Sequence, residues 1–473
     1  MTNTNQYDLA IIGAGAGGLS VAAAAAQLGV KVVLIEKGEM GGDCLNDGCV
    51  PSKALLAASK VAYTFKSSDK FGVKSQQPIV EMAKVMQHVQ GVIDAIAPHD
   101  SVERFTKMGV TVIKATARFV GKKTVMAGES QISAKHFVIA TGSSPAVPPI
   151  PGLDQVPYFT NETIFGLSEK PEHLVIIGGG PIGCELAQAF LLLGVTVTVL
   201  EAATILPRDE QELVEILRGR LVRQGLCLHE KTKVVRVELV AGNIRILIEK
   251  DGVQKNIIGS HLLVAAGRRV NVGGLDLEKA GIDYTPKGIQ VNKQLRTTNK
   301  RVYCIGDVAG SYQFTHVANY HAGIVIRNIL FKLPAKISGN AIPWVTYTDI
   351  ELAHAGMLAE DAVKQYTGTK ILSMDLSEVD RAQTEQKLEG KIKIAVTKKG
   401  RVLGVSILAP NAGELLLPWL MLIREKKSLR SLTDVIVPYP TYSELSKRVA
   451  GEFYAPRLFS PLVKWVVKVL GWF

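Results

Sequence analysis

Cysteine is scarce in this chain: five residues, Cys44, Cys49, Cys184, Cys227 and Cys304, among 473. Five is too few, and odd in number, for a disulfide framework in a chain of this length. No block of five consecutive basic residues occurs, although Lys and Arg outnumber Asp and Glu by 12. A solvated basic surface accounts for that excess without a nucleic-acid partner, and none is expected; anionic cofactors or an anionic membrane surface can use the remainder. The opening residues, MTNTNQYDLAII, carry no basic n-region and no small-residue cleavage site, so no secretory leader is expected and the expected location is the cytoplasm. No low-complexity linker divides the chain. With 47% apolar and 21% charged residues it is neither disordered nor a collagen-like repeat nor a small disulfide scaffold. It has material for several cores, about three domains of ordinary size.

What is present in quantity is glycine, and its placement repeats. The segment Tyr7–Glu36 reads as a strand (YDLAII), a turn from Gly13 through Gly15 to Gly18, an Ala-rich helix and a second strand (KVVLIE). From His173 the same order recurs: HLVII, then Gly178, Gly180 and Gly183, a helix to Leu193, and TVTVLE ending at Glu201. Gly13 and Gly178, Leu28-Gly29-Val30 and Leu193-Gly194-Val195, and Glu36 and Glu201 all share an offset of 165. A lone G-x-G-x-x-G is weak, but each of these follows a strand, opens a helix and precedes an acidic residue at the next strand's end. That context marks two dinucleotide sites: helix N-termini for the phosphates, Glu36 and Glu201 for ribose hydroxyls. Two redox cofactors in one chain imply electron transfer. Ala202 and Ala203 follow Glu201, with no adjacent arginine for a 2′-phosphate, so NADH is favoured over NADPH.

Cys44 and Cys49 lie in GGDCLNDGCVPSK, directly after the first repeat. On a regular helix residues five apart are roughly 8 Å apart on different faces, so the pair closes only on irregular backbone. Gly41, Gly42, Gly48 and Pro51 permit such a distortion. From Pro343 onward the pattern changes to the strands KIKIAV and RVLGVSIL and a long apolar helix, Gly413 to Ile423, without a nucleotide motif; this reads as a separate α+β domain.

These motifs, with Pro51/Ser52/Lys53, Ala140-Thr141-Gly142, Glu185, Ala266-Gly267-Arg268, Cys304-Ile305-Gly306-Asp307 and Pro440-Thr441 leading to Glu444, resemble the class I pyridine nucleotide-disulfide oxidoreductases over essentially the whole length. That family includes dihydrolipoamide dehydrogenase, glutathione reductase and mercuric reductase. The resemblance implies an α/β fold with two Rossmann-like dinucleotide-binding domains and a C-terminal α+β dimerisation domain. The expected boundaries are FAD-binding 1–150, NAD-binding 151–271, a central domain 272–342 completing the FAD site, and an interface domain 343–473 with an amphipathic tail. It further implies FAD held by Gly13, Gly15, Gly18, Glu36, Lys37, Gly42, Lys53, Thr116, Thr141, Gly142, Asp307, Thr315 and His316. NADH falls to Gly178, Gly180, Gly183, Glu201 and Gly267. No resident metal is implied.

The implied chemistry runs from NADH through FAD to a Cys44–Cys49 disulfide and on to a disulfide-type acceptor. Cys49 is then the flavin-side thiolate and Cys44 the exposed interchange thiol, with Lys53 and Glu185 an ion pair beside the flavin. Tyr439 and Glu444 would come from the partner subunit of a homodimer. Tyr439 stands where thiol-exchanging members carry a histidine, and a phenol near pKa ~10 is a poor base at neutral pH. Mercuric reductase shares such a tyrosine, but no cysteine follows Cys304 to supply its C-terminal pair. Two other readings stay open: a metal or quinone reductase working at a membrane surface, and a lipoyl-partner binding protein with vestigial turnover. Asp43 and Asp47, beside and between the cysteines, either raise the thiol pKa values and disfavour anionic substrates or are solvent-facing turn residues. The stretch RLFSPLVKWVVKVLGWF puts Leu458, Leu462, Trp465, Val466, Val469 and Phe473 on one helical face with Lys464 and Lys468 opposite. It is too short to span a bilayer, and fits either the dimer interface or the inner face of a membrane.

Overall fold

The computed structural model describes residues 5–310, 312–339 and 341–471, so Phe473 lies outside the described residues. The first strand and its repeat partner form where the β-branched runs predict them: β1 (Asn5–Ile12), helix α1 (Ala16–Gln27) and β2 (Val32–Glu36). β1 lies between β2 and β6 (Ser130–Ile139), parallel to both. β3 (Thr111–Lys114) extends the sheet beyond β2, and β5 (Thr124–Ala127) with β4 (Ala117–Gly121) forms an antiparallel flap on β6. A short strand, Val302–Cys304, pairs in parallel with the far half of β6.

Both faces of this sheet are covered, which is why β1 and β2 read as near-continuous apolar runs instead of alternating ones. Leu9, Ile11 and Leu34 pack against Leu19 and Ala22 of α1 and against Ile324 and Val325 of the helix Thr315–Ile329. Ala10, Ile12, Val33 and Ile35 face the other way, onto Phe119, Phe137, Leu277 and Ile282. The ends of β1, β6 and Val302–Cys304 thus deliver the Gly13 turn, Thr141-Gly142 and Asp307 from one side of the sheet.

The chain falls into two compact units. The first holds residues up to Ala58, Ile79–Gly178 and Lys233–Ser338; the second holds Ser59–Pro78, Gly179–Thr232 and everything from Gly339. Besides the sheet above, the first unit contains the parallel pair His173–Ile177 with His261–Val264 and an antiparallel three-stranded sheet over Lys233–Gly259.

In the second unit the helix Pro181–Leu192 and the parallel pair Thr196–Leu200 with Cys227–His229 continue the second repeat. Its other part is a five-stranded antiparallel sheet in the order Pro343–Thr346, Glu351–Gly356, Val402–Ala409, Lys391–Val396, Lys370–Asp375. Helices Ala412–Arg424 and Glu444–Glu452 close its core around Trp419, whose indole N–H donates to Ser446 Oγ at 3.0 Å. The strands and helix expected after Pro343 are therefore present, the helix running one residue further at each end.

Candidate active site

Two glycine turns are built alike, atom by atom. In the first, Glu36 accepts the Ala14 N–H at 2.6 Å on one oxygen and the Gly38 N–H at 2.7 Å on the other. In the second, Glu201 accepts Gly179 N–H at 2.6 Å and Ala203 N–H at 2.8 Å, the same positions displaced by 165. Gly13 (φ +104°) and Gly178 (φ +116°) are left-handed, and a Cβ on either would stand 2.4 Å from a carbonyl oxygen, Ala140 and Ala265 respectively. Those glycines are required by the fold itself. Gly15 and Gly180 differ: a Cβ there meets nothing within 4 Å among the described residues. Protein packing does not demand glycine at either place, whereas a phosphate approaching a helix N-terminus does. The turns therefore fit the dinucleotides that the sequence implies.

The cysteine segment is docked on the first turn. Gly41 N–H donates to Ala14 O at 3.0 Å, Gly41 pairs with Gly15 in an isolated bridge, and a Cβ on Gly42 (φ +61°) would lie 2.8 Å from Gly15 Cα. α2 (Gly42–Asn46) carries Cys44, and α3 (Cys49–Lys66) begins at Cys49. The break at Asp47-Gly48 is the irregularity that the five-residue spacing requires. It brings the two sulfurs together as free thiols hydrogen-bonded to each other.

Their acidities are driven apart. The hydrogen bond from Cys44, then one from the Thr315 hydroxyl and the charge of Lys53, outweigh burial and hold Cys49 down at about 6. Cys49 also opens α3, and Thr315, 3.5 Å from its sulfur, opens the helix Thr315–Ile329, so positive helix ends favour the thiolate. The same hydrogen bond, then burial, pushes the Cys44 thiol up. In the chain alone Cys49 is exposed and Cys44 half-buried. Acidity, not exposure, is what supports Cys49 as the thiolate.

Asp43 and Asp47 are not solvent-facing turn residues. Asp43 meets Arg268 at 3.1 Å and accepts the Asn161 amide at 3.0 Å; Asn161 also donates to Asp47 O at 3.1 Å. Arg268 in turn donates to Ser143 Oγ at 2.7 Å and Ser143 O at 2.8 Å, and Ser143 Oγ donates to Asp307 at 2.5 Å. A continuous polar chain thus joins the residue beside Cys44 to Asp307, whose carboxyl is raised chiefly by burial. Burial, then the charges of Asp43 and Glu162, raise Asp47 to about 6. The bridging parts played by Arg268, Asn161 and Ser143 escaped the sequence reading, because a hydrogen bond across more than a hundred residues leaves no spacing signal.

The remaining expected residues are placed as follows. Thr141 Oγ1 donates to Asn271 O at 2.8 Å, and Asn271 N–H to Gly142 O at 3.0 Å, fixing the loop after β6. Thr116 O accepts Gly128 N–H at 3.3 Å, and His316 stacks on Phe314 with ring centroids 5.2 Å apart. Lys37 is exposed beyond β2, Gly267 is left-handed (φ +122°), and Gly183 lies in the helix Pro181–Leu192. Lys53 Nζ donates to Ser52 Oγ at 3.3 Å in the first unit. Glu185, buried in the second unit, accepts the Tyr347 N–H at 2.8 Å. Tyr439 is 70% exposed, and its hydroxyl donates to Asp380, not Glu444, at 2.8 Å; that bond raises the phenol further. Glu444 Oε2 is shielded from solvent without a hydrogen-bond partner among the described residues. Asp380 had no motif to announce it.

Comparison with known proteins agrees with this geometry. The profile of the pyridine nucleotide-disulphide oxidoreductase family matches residues 7–322, and that of its dimerisation domain matches 342–450. A mercuric reductase of Staphylococcus aureus is 33% identical over 450 residues, covering 94% of this chain and 82% of the relative. A dihydrolipoyl dehydrogenase of Bacillus subtilis (strain 168) is 33% identical over 446 residues, covering 92% and 96%. The solved HOCl-induced flavoprotein disulfide reductase RclA of Escherichia coli, as its Cu(II) complex, superposes with a TM-score of 0.85 at 26% identity, covering 94% of this chain and 99% of that one. The family implies FAD and a pyridine nucleotide as cofactors, and its dimerisation domain supports a homodimer. The chain belongs to the pyridine nucleotide-disulphide oxidoreductases and is an oxidoreductase.

Proposed function

We propose that the protein passes reducing equivalents from NADH to a disulfide-type acceptor through Cys44 and Cys49. One observation carries this reading: the two thiols are hydrogen-bonded to each other on a segment docked directly on the first glycine turn, with Cys49 held as the acidic partner. Bound FAD and pyridine nucleotide supply the hydride and two-electron chemistry. The chain's own part is to hold each dinucleotide on a turn and to fix its ribose side through Glu36 and Glu201. It also stabilises a thiolate at Cys49 through Thr315, Lys53 and two helix ends, and keeps a proton on Cys44.

Cys44 attacks an acceptor disulfide as its proton passes to the departing sulfur, which leaves as the first product thiol; the Cys49 thiolate then attacks the mixed disulfide, re-forming Cys44–Cys49 and releasing the second product as a thiolate that takes its proton from water. NADH is favoured because Glu201 is followed by two alanines and no arginine. Tyr439 and Glu444, from a partner subunit, would border the acceptor. The reading predicts NADH oxidation that depends on added lipoamide or another low-molecular-weight disulfide and is lost in Cys44→Ser. Equal disulfide-dependent oxidation by wild type and Cys44→Ser would overturn it.

A second reading, a quinone or metal-ion acceptor at a membrane surface, is favoured by the tie between Tyr439 and Asp380, which leaves still less phenolate at neutral pH to act as a base. It predicts quinone reduction unchanged by Cys44→Ser.

A further inference from the structure

The helix Pro461–Leu470 buries none of its residues, whereas the nearby helix Glu444–Glu452 seats Leu445, Val449 and Ala450 in a core. Its start is well made, with Ser460 Oγ accepting the Val463 N–H at 3.4 Å. Yet an isolated helix of ten residues is marginal in water unless its apolar face has a partner. Leu462 is 70% exposed and Trp465 61%, and Val466, Val469 and Leu470 are exposed beside them. Lys464 and Lys468, one turn apart, share the opposite side.

Charge identifies the partner. From Phe453 to the last residue there is no Asp or Glu, while Arg457, Lys464 and Lys468 are all cationic. The match to the family's dimerisation domain stops at residue 450, before this helix begins. Ten residues make about 15 Å of helix, half of a bilayer's hydrocarbon thickness, and no described helix is long and apolar enough to cross a membrane. A Trp-bearing apolar face backed by lysines suits the plane of the interface, with aliphatic side chains in the acyl boundary and ammonium groups among anionic headgroups.

We propose that the helix Pro461–Leu470 lies flat on an anionic lipid surface and holds the enzyme there as a peripheral protein. Binding is independent of which acceptor the active site uses. The test is flotation of the full-length, FAD-loaded protein with vesicles of phosphatidylcholine alone and of phosphatidylcholine mixed with phosphatidylglycerol. Wild type is expected to float with the mixed vesicles and to lose affinity as salt rises. The double variant Lys464→Ser/Lys468→Ser should bind weaker by roughly fivefold per lysine. Leu462→Asp/Trp465→Asp should not float, while keeping wild-type mass in sedimentation and wild-type reduction by NADH. No binding of wild type to the mixed vesicles would overturn the proposal, as would undiminished binding by the aspartate variant. A change of oligomeric mass in that variant would also overturn it, by assigning the face to a second copy.

Discussion

The two glycine turns share the carboxylate clamp and both kinds of glycine, yet only the first has a reactive segment packed on it. After Glu36 the chain passes through Gly38 to the left-handed Gly41 and Gly42, whose missing side chains let the cysteine segment touch Gly15. After Glu201 it passes through Ala203, and Lys231 N–H caps Ala203 O at 2.8 Å. One arrangement thus occurs in two settings: a turn that stands alone, and one on which a dithiol segment is packed. The second pair of glycines in the first copy, not the phosphate turn, makes the difference.

The largest effect should come from the dithiol. Cys44→Ser and Cys49→Ser should each lower disulfide-acceptor turnover by more than about a thousandfold, since neither sulfur alone can complete the exchange. Loss of that turnover in both variants with FAD content unchanged is the expected pattern in a stopped-flow and cofactor assay.

Next come the turns. Gly13→Ala and Gly178→Ala should each destabilise the chain by about 3 kcal/mol, because a Cβ must displace a carbonyl oxygen 2.4 Å away. Gly15→Ala and Gly180→Ala should leave the melting temperature of the cofactor-free protein within about 2 °C of wild type. The first should nevertheless fail to retain FAD, and the second should raise the KM for NADH. Equal destabilisation by all four would break the distinction between fold glycines and phosphate glycines.

A smaller effect is expected at Tyr439. Replacement by Phe should change lipoamide turnover by less than about threefold, and replacement by His should raise it about tenfold, as a matched base would. The smallest effect belongs to Asp43. Thiolate at Cys49 should be present above about pH 6 and disappear as pH falls through that value. Because the Asp43 charge raises both thiols, Asp43→Asn should move the midpoint lower, by roughly half a unit. No shift would mean that the Arg268 pair matters only for shape, and a shift upward would contradict the charge argument.

The repeat was legible because its signals are local: β-branched runs, Gly spacings and an acid at a fixed distance, each with one physical meaning. The irregular backbone between Cys44 and Cys49 was also legible, since five residues of regular helix cannot bring two sulfurs together. The turn reading of Asp43 and Asp47 failed because composition favours Asp in exposed turns, and nothing nearby in sequence announces Arg268 or Asn161. The link of Tyr439 to Asp380 was hidden for the same reason. Cys49's acidity depends on Thr315, 266 residues away, and no local pattern encodes that approach.

The central claim is a working relay through Cys44 and Cys49, and an anaerobic NADH titration of wild type, Cys44→Ser and Cys49→Ser tests it most directly. A long-wavelength thiolate-to-flavin band that appears in wild type after two electrons, is already present in Cys44→Ser before NADH is added because its Cys49 thiolate has no disulfide partner, and is absent from Cys49→Ser throughout, is the predicted result. Bleaching of the flavin absorbance by the first two electrons in all three proteins, with no such band, would contradict the account.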